Sequence, residues 1–108
     1  MEMTVQLADT FAALGNPTRL AIVERLLREG ELSAGEVVAG ESMSPPAISH
    51  HFRVLREAGI VNQRVDKQRR LYSVRPEAVR VIGTWSLSYR QFWEGSLERL
   101  DAALKESH

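Results

Sequence analysis

Apolar residues recur at spacings of three and four along most of this chain and shift to alternation in one stretch, and that change of period divides it into elements. Leu7, Phe11 and Leu14 share one stripe of a first helix that stops at Gly15. Asn16 then caps a second helix with Pro17 at its first position, where a missing N–H costs nothing, and Leu20, Val23, Leu26 and Leu27 form its expected buried stripe up to Gly30. Ser33 followed by Glu36 is a capping box opening a short third helix that carries Val37, Val38 and Ala39 to Gly40. After a turn over residues 41–44, Ser44 caps a fourth helix that starts on Pro45 and Pro46. Ile48, Phe52 and Leu55, with Val54 and Ala58, give its buried face, and Gly59 closes it.

From Ile60 the period drops toward two: Val61, Gln63 and Val65 alternate with Asn62, Arg64 and Asp66, and the run Leu71, Tyr72, Ser73, Val74 answers them. This predicts a hairpin. Its connection, Asp66 to Arg70, has no glycine, so the expectation is a solvated basic loop and not a tight two-residue turn. Pro76 opens one long last helix, about seven turns, with apolar positions at Val79, Ile82, Trp85 or Ser86, Tyr89, Trp93, Leu97, Leu100 and Leu104. The predicted fold is mainly α with a small β-hairpin, a winged helix-turn-helix of five helices and a two-stranded wing. Its order is four helices, two strands, one helix.

A chain of 108 residues suits a single domain over 1–108, and 44% apolar with 26% charged residues is ordinary globular composition. Neither a secretory leader nor a membrane-length apolar run is present, so a cytoplasmic protein with no membrane contact is expected. Cysteine is absent, which rules out disulfides, thiolate metal sites and a cysteine nucleophile. The net charge of zero argues against a polyanion partner until the chain is divided. Residues 1–43 carry −4, residues 44–75 carry +5, and residues 76–108 carry −1. A positive patch is thus concentrated on the fourth helix and the hairpin, the footprint of a DNA-binding face.

Two helices joined by a short turn (33–59) and followed at once by a basic hairpin (60–75) form a helix-turn-helix with a wing, the second helix entering the major groove of double-stranded DNA. Opposite the Ile48, Phe52, Leu55 stripe stand Pro46, Ser49, His50 and Arg53, the candidates for base edges. Arg53 can fork onto guanine or pair with a phosphate, and Ser44 and Ser49 can donate to phosphate oxygens. The bland alternative for Arg53 is an ion pair with Glu57 one turn on. Arg64, Lys67, Arg69 and Arg70 on the hairpin are placed to reach phosphates or a minor groove. His50 and His51 point about 100° apart on a helix, so they cannot chelate one metal from the same face.

The run Leu14 to Leu20 (LGNPTRL), SPPAISHHFRVLREAGIV from Ser44 to Val61, and RRLYSV from Arg69 to Val74 together resemble the ArsR-type winged-helix repressors over nearly the whole chain. The resemblance implies a homodimer joined through its first and last helices, 1–15 and 76–105, with the fourth as recognition helix. It makes Leu7, Phe11, Trp85, Tyr89, Phe92, Trp93, Leu97 and Leu100 dimer-interface residues, and adds His51 to Ser44, Pro46, Ser49, His50 and Arg53 at the DNA. Well-known members of that family sense metals through cysteines in the third helix or Asp, His and Glu on the last. Here ELSAGEVVAG has no thiol and the last helix offers only His108, so the chain looks like the branch without metal sites, with no metal and no cofactor expected.

Trp85, Tyr89, Phe92 and Trp93 have the chemistry to line a pocket for a small apolar effector between subunits, but aromatics at helical spacing are favoured as interface core. The expected function is a dimeric, sequence-specific transcription regulator, a repressor on a pseudo-palindromic operator. A metal- or small-ligand-responsive sensor of the same fold and a winged-helix protein-interaction module are the alternatives. No phosphate loop, nucleophile motif or ligand cluster supports an enzyme.

Overall fold

The computed structural model describes residues 2–39 and 43–106, with side chains from residue 6 onward. The Gly40 stop, Glu41 and Ser42 of the 41–44 turn, and His108 lie outside the described residues. The elements are α1 (Glu2–Leu14), α2 (Pro17–Glu29), β1 (Leu32–Ser33), α3 (Ala34–Ala39), α4 (Pro45–Glu57), β2 (Val61–Asp66), β3 (Arg69–Val74), α5 (Pro76–Ser88) and α6 (Arg90–Glu106).

The starts of α2, α3 and α4 are made by caps that the sequence carries. Asn16 Oδ1 accepts from the backbone N–H groups of Thr18 and Arg19 at 2.9 and 3.2 Å. The capping box closes in both directions, Glu36 N–H donating to Ser33 Oγ at 3.1 Å and Ser33 N–H to Glu36 Oε1 at 3.3 Å. Ser44 Oγ accepts from Ala47 N–H at 3.4 Å and caps α4. At the other end, Ile60 N–H donates to Leu55 O and Gly59 N–H to Arg56 O, with Gly59 at φ 76°. That is a Schellman motif, and its accompanying apolar contact is present because Leu55 and Ile60 are both buried in the core. α4 is therefore fixed in length and in exit direction.

The core joins Ile22, Val23 and Leu26 of α2, Val37 of α3, Ile48, Phe52 and Leu55 of α4, and Val61 and Tyr72 of the sheet. Phe52 stacks on Tyr72 with ring centroids 3.9 Å apart, locking α4 to the hairpin. In α2 the buried stripe is turned from the expected one: Ile22 is inside, while Leu20 and Leu27 are exposed. α2 packs against β3, α1 and α4, and that packing takes Ile22 into the core together with Val23 and Leu26. In α1 the inward positions are Thr10 and Ala13, and Phe11 lies half out, edge-on to Trp85 at 5.1 Å.

Three features differ from the sequence-based expectation. The wing belongs to a three-stranded antiparallel sheet, β1-β3-β2, because Leu32 and Ser33 pair with Tyr72 and Leu71. The hairpin connection is tight after all: Asp66 pairs with Arg69, leaving only Lys67 and Gln68 between the strands. Lys67 supplies the positive φ, 60°, that matches a two-residue turn to the right-handed twist of its strands, at a cost of about 1 kcal/mol for a residue with a Cβ. The long last helix is two helices. Ser88 Oγ donates back to Thr84 O at 2.9 Å and Tyr89 N–H turns to Ser86 O, and this side-chain competition with the backbone breaks the run at Tyr89 (φ −106°, ψ 11°).

None of the residues of α6 is buried. The radius of gyration, 18.3 Å, exceeds the roughly 13 Å of a compact chain of this size, and the longest axis is 64 Å. No helix is long and apolar enough to cross a membrane among the described residues.

Candidate nucleic-acid interface

The buried stripe of α4 sets what faces out. With Ile48, Phe52 and Leu55 inward, Pro46, Ser49, His50 and Arg53 are exposed on the opposite side, one above another at spacings of three and four. Arg53 Nη2 lies 3.1 Å from His50 Nδ1, a contact in which the guanidinium is the donor. The Arg53–Glu57 pair considered from sequence does not form; Arg53 instead lies along the exposed face toward the start of the helix. Ser44, at the helix start, is exposed, and because its Oγ accepts in the cap its hydroxyl proton is still available.

His51 is set apart from this face. It is partly buried, and Arg19 Nη1 donates to its Nδ1 at 3.3 Å while Arg19 Nε donates to Ala13 O at 2.6 Å, so one arginine connects the end of α1 to α4. Burial first, then the nearby Arg19 and His50, holds the His51 pKa below its ordinary value. As pH falls below about 6.5 the unfolded chain therefore takes up the proton before the folded one, so stability is highest above that pH and declines on acidification through the lower folded value. Tm should fall between pH 7 and 5 in the wild type and fall less in His51→Gln; parallel curves would exclude His51 as the source.

The four cations of the hairpin are not equivalent. Arg64 forks onto Glu31 with contacts of 2.7 and 2.6 Å, and Arg69 contacts Glu36 at 2.6 Å. Arg64 lowers the Glu31 pKa by hydrogen bonding, and Ser33, then Arg69, does the same for Glu36. Lys67 at the apex and Arg70 are exposed and have no ion pair among the described residues. Sequence reasoning treated all four alike. The partners Glu31 and Glu36 lie 33 positions earlier, a separation that no local pattern reports.

A second exposed surface is apolar. Phe11, Trp85, Tyr89, Phe92, Trp93, Leu97 and Leu100 are each at least 40% exposed, and Leu7 is half-buried. Trp85 and Tyr89 lie 5.4 Å apart, centroid to centroid, and Phe92 and Trp93 5.8 Å apart, so the surface carries an aromatic pair on each side of the break at Tyr89, the second on the helix that bears Leu97 and Leu100. Among the described residues no group of three His, Cys, Asp or Glu side chains is placed to hold a metal ion.

A family model described as a helix-turn-helix domain matches residues 14–64. The transcriptional repressor SdpR of Bacillus subtilis is 30% identical over 81 residues, 75% of this chain and 89% of that protein. The crystal structure of an ArsR family transcriptional regulator matches with a TM-score of 0.74 at 26% identity, covering 84% of this chain and 93% of the other. The solution structure of a homodimeric winged helix-turn-helix DNA-binding domain from Mycobacterium bovis matches with a TM-score of 0.66, covering 83% of each chain, and at 23% identity it bears on the fold alone. A capped helix pair that leads straight into a hairpin, in a chain matched over three quarters of its length by such a relative, belongs to the ArsR-type winged helix-turn-helix transcriptional regulators, a family of regulators and not of enzymes.

Proposed function

We propose that this regulator is a homodimeric repressor that lays α4 in the major groove of a pseudo-palindromic operator and sets the tip of its wing on the flanking backbone. The observation that carries the reading is the outward face of α4: Ser49, His50 and Arg53 are exposed together on a helix whose opposite side is locked into the core. Arg53 would read a guanine, Ser44 and Ser49 would donate to phosphates beside the helix N-terminus, and Pro46 would pack against the groove wall. His51, turned toward Arg19, would hold α4 in place and not touch DNA. Lys67 and Arg70 would contact phosphate, with Arg64 and Arg69 behind them.

The dimer reading rests on the apolar run from Phe11 to Leu100, which a monomer leaves in water. Joining two copies along α1, α5 and α6 gives the twofold symmetry that a palindromic site requires, with recognition helices roughly 34 Å apart. A repressor acts from such a site by occluding it.

Selection of bound sequences from random DNA by the purified protein should return a symmetric motif with half-sites about one helical turn apart; an asymmetric single half-site would overturn the proposal. Arg53→Ala should weaken operator binding by about 5- to 150-fold and leave random-DNA binding nearly unchanged, whereas Lys67→Ala should weaken both alike and reduce the salt slope by about one. Equal losses for both variants on both DNAs would refute this division of roles.

A further inference from the structure

The hairpin register divides the wing into two faces. Gln63 and Val65 share a face with Tyr72 and Arg70, and Arg64 and Asp66 share the other with Leu71 and Arg69. Tyr72 stacks on Phe52 and Gln63 hydrogen-bonds Arg56, so the first face is the one turned to α4. Arg70 thus lies on the α4 side, and Arg64 and Arg69 lie on the far side, where Glu31 and Glu36 meet them. Both acids are anchored. Glu31 precedes Leu32, which is hydrogen-bonded into the sheet, and Glu36 is held by Ser33 in the capping box. The segment 64–70 carries +3 by itself, and the two carboxylates reduce its surroundings to +1.

We propose that Glu31 and Glu36 are specificity-determining residues: by neutralising Arg64 and Arg69 they withhold two arginines from the phosphates of random DNA. The inference rests on the DNA-binding reading above. On an operator, base contacts from α4 fix the register and present only Arg70, on the α4 side, and Lys67, at the apex, to the backbone. On random DNA no base contact fixes the pose, so every uncompensated cation of the wing adds a phosphate contact and releases a counterion. Exposed ion pairs are weak enough to exchange for phosphate, so charge compensation by the carboxylates, and not geometric obstruction, is what limits that exchange.

The test is the double variant Glu31→Gln, Glu36→Gln in the full chain, titrated by fluorescence anisotropy against the selected operator and against random duplex over a salt series. Glutamine at 36 still completes a capping box, so the start of α3 is retained. Random-DNA affinity should rise about 10- to 60-fold at 0.1 M salt and its salt slope should steepen by up to about two, while operator affinity rises threefold or less. Glu94→Gln with Asp101→Asn removes the same charge from ion pairs on α6 and should change neither affinity by more than about twofold. Equal gains on both DNAs, no gain on random DNA, or the same gain from the α6 variant would overturn the proposal. Failure of the underlying reading is separable, because it appears as a wild-type protein that binds no DNA or a Lys67→Ala variant with an unaltered salt slope.

Discussion

Leu97→Glu combined with Leu100→Glu is expected to convert the protein to monomers and to lower operator affinity by more than about 100-fold. In one chain these side chains are 64% and 57% exposed, so their replacement costs the monomer almost nothing. Between two copies each leucine that becomes buried contributes about 1.5–3 kcal/mol, and the twofold axis doubles the sum. The variant forfeits that term and puts four carboxylates into the seam. Operator affinity follows because two joined half-sites bind with an effective concentration in the millimolar range, and a monomer loses it. Light scattering on a sizing column gives the mass and anisotropy gives the affinity. A variant that stays dimeric would exclude α6 from the interface, and an unchanged far-ultraviolet circular dichroism spectrum would show that the fold survived.

Phe52→Ala should be the most damaging truncation within one chain. Phe52 is 2% exposed and stacks on Tyr72, so one ring supports both the recognition helix and the wing. Removing it leaves a cavity between two elements that cannot close independently, a loss of about 3–5 kcal/mol against a total of about 5–15 kcal/mol. At roughly 4–8 °C per kcal/mol, Tm should fall by about 12–40 °C. Val65→Ala, on the exposed end of β2, is the matched comparison, expected to change stability by less than about 0.5 kcal/mol. A loss below 1 kcal/mol at Phe52 would mean that α4 and the sheet close over the gap.

The contrast between these two positions also explains what the sequence makes legible. Caps depend on residues within three positions of each other, and Asn16, Ser33 with Glu36, and Ser44 can all be read from spacing alone. The α4 stripe is equally plain because Ile48, Phe52 and Leu55 have no competing apolar neighbours on the other face. α2 has apolar residues nearly all round, and only its packing against β3, α1 and α4 decides that Ile22 goes in and Leu27 stays out. β1 is two residues long, too short for any period to register, and exists only because β3 offers it an edge. The turn at Lys67 is obscured because its positive φ is imposed by strand twist on a residue that does not prefer it. The break at Tyr89 is obscured for another reason: the apolar period runs straight through it, and the signal is the Ser88 hydroxyl bonding back to Thr84. In the candidate site, which α4 side chains face outward is legible and charge pairing is not, since Glu31 and Glu36 reach the wing only through the fold.

The separate last helix has a consequence for supply. α6 is 17 residues long with no buried residue, so within one chain it lacks the tertiary packing that supplies most of a helix's stability. In the proposed dimer its order is therefore drawn from association, so dilution weakens α6 together with the pairing, and Tm rises with protein concentration. A cell that makes little of this protein would hold a larger fraction with a frayed, protease-sensitive tail. Degradation then falls hardest on unpaired copies, and the amount of regulator acquires a lower threshold set by mass action.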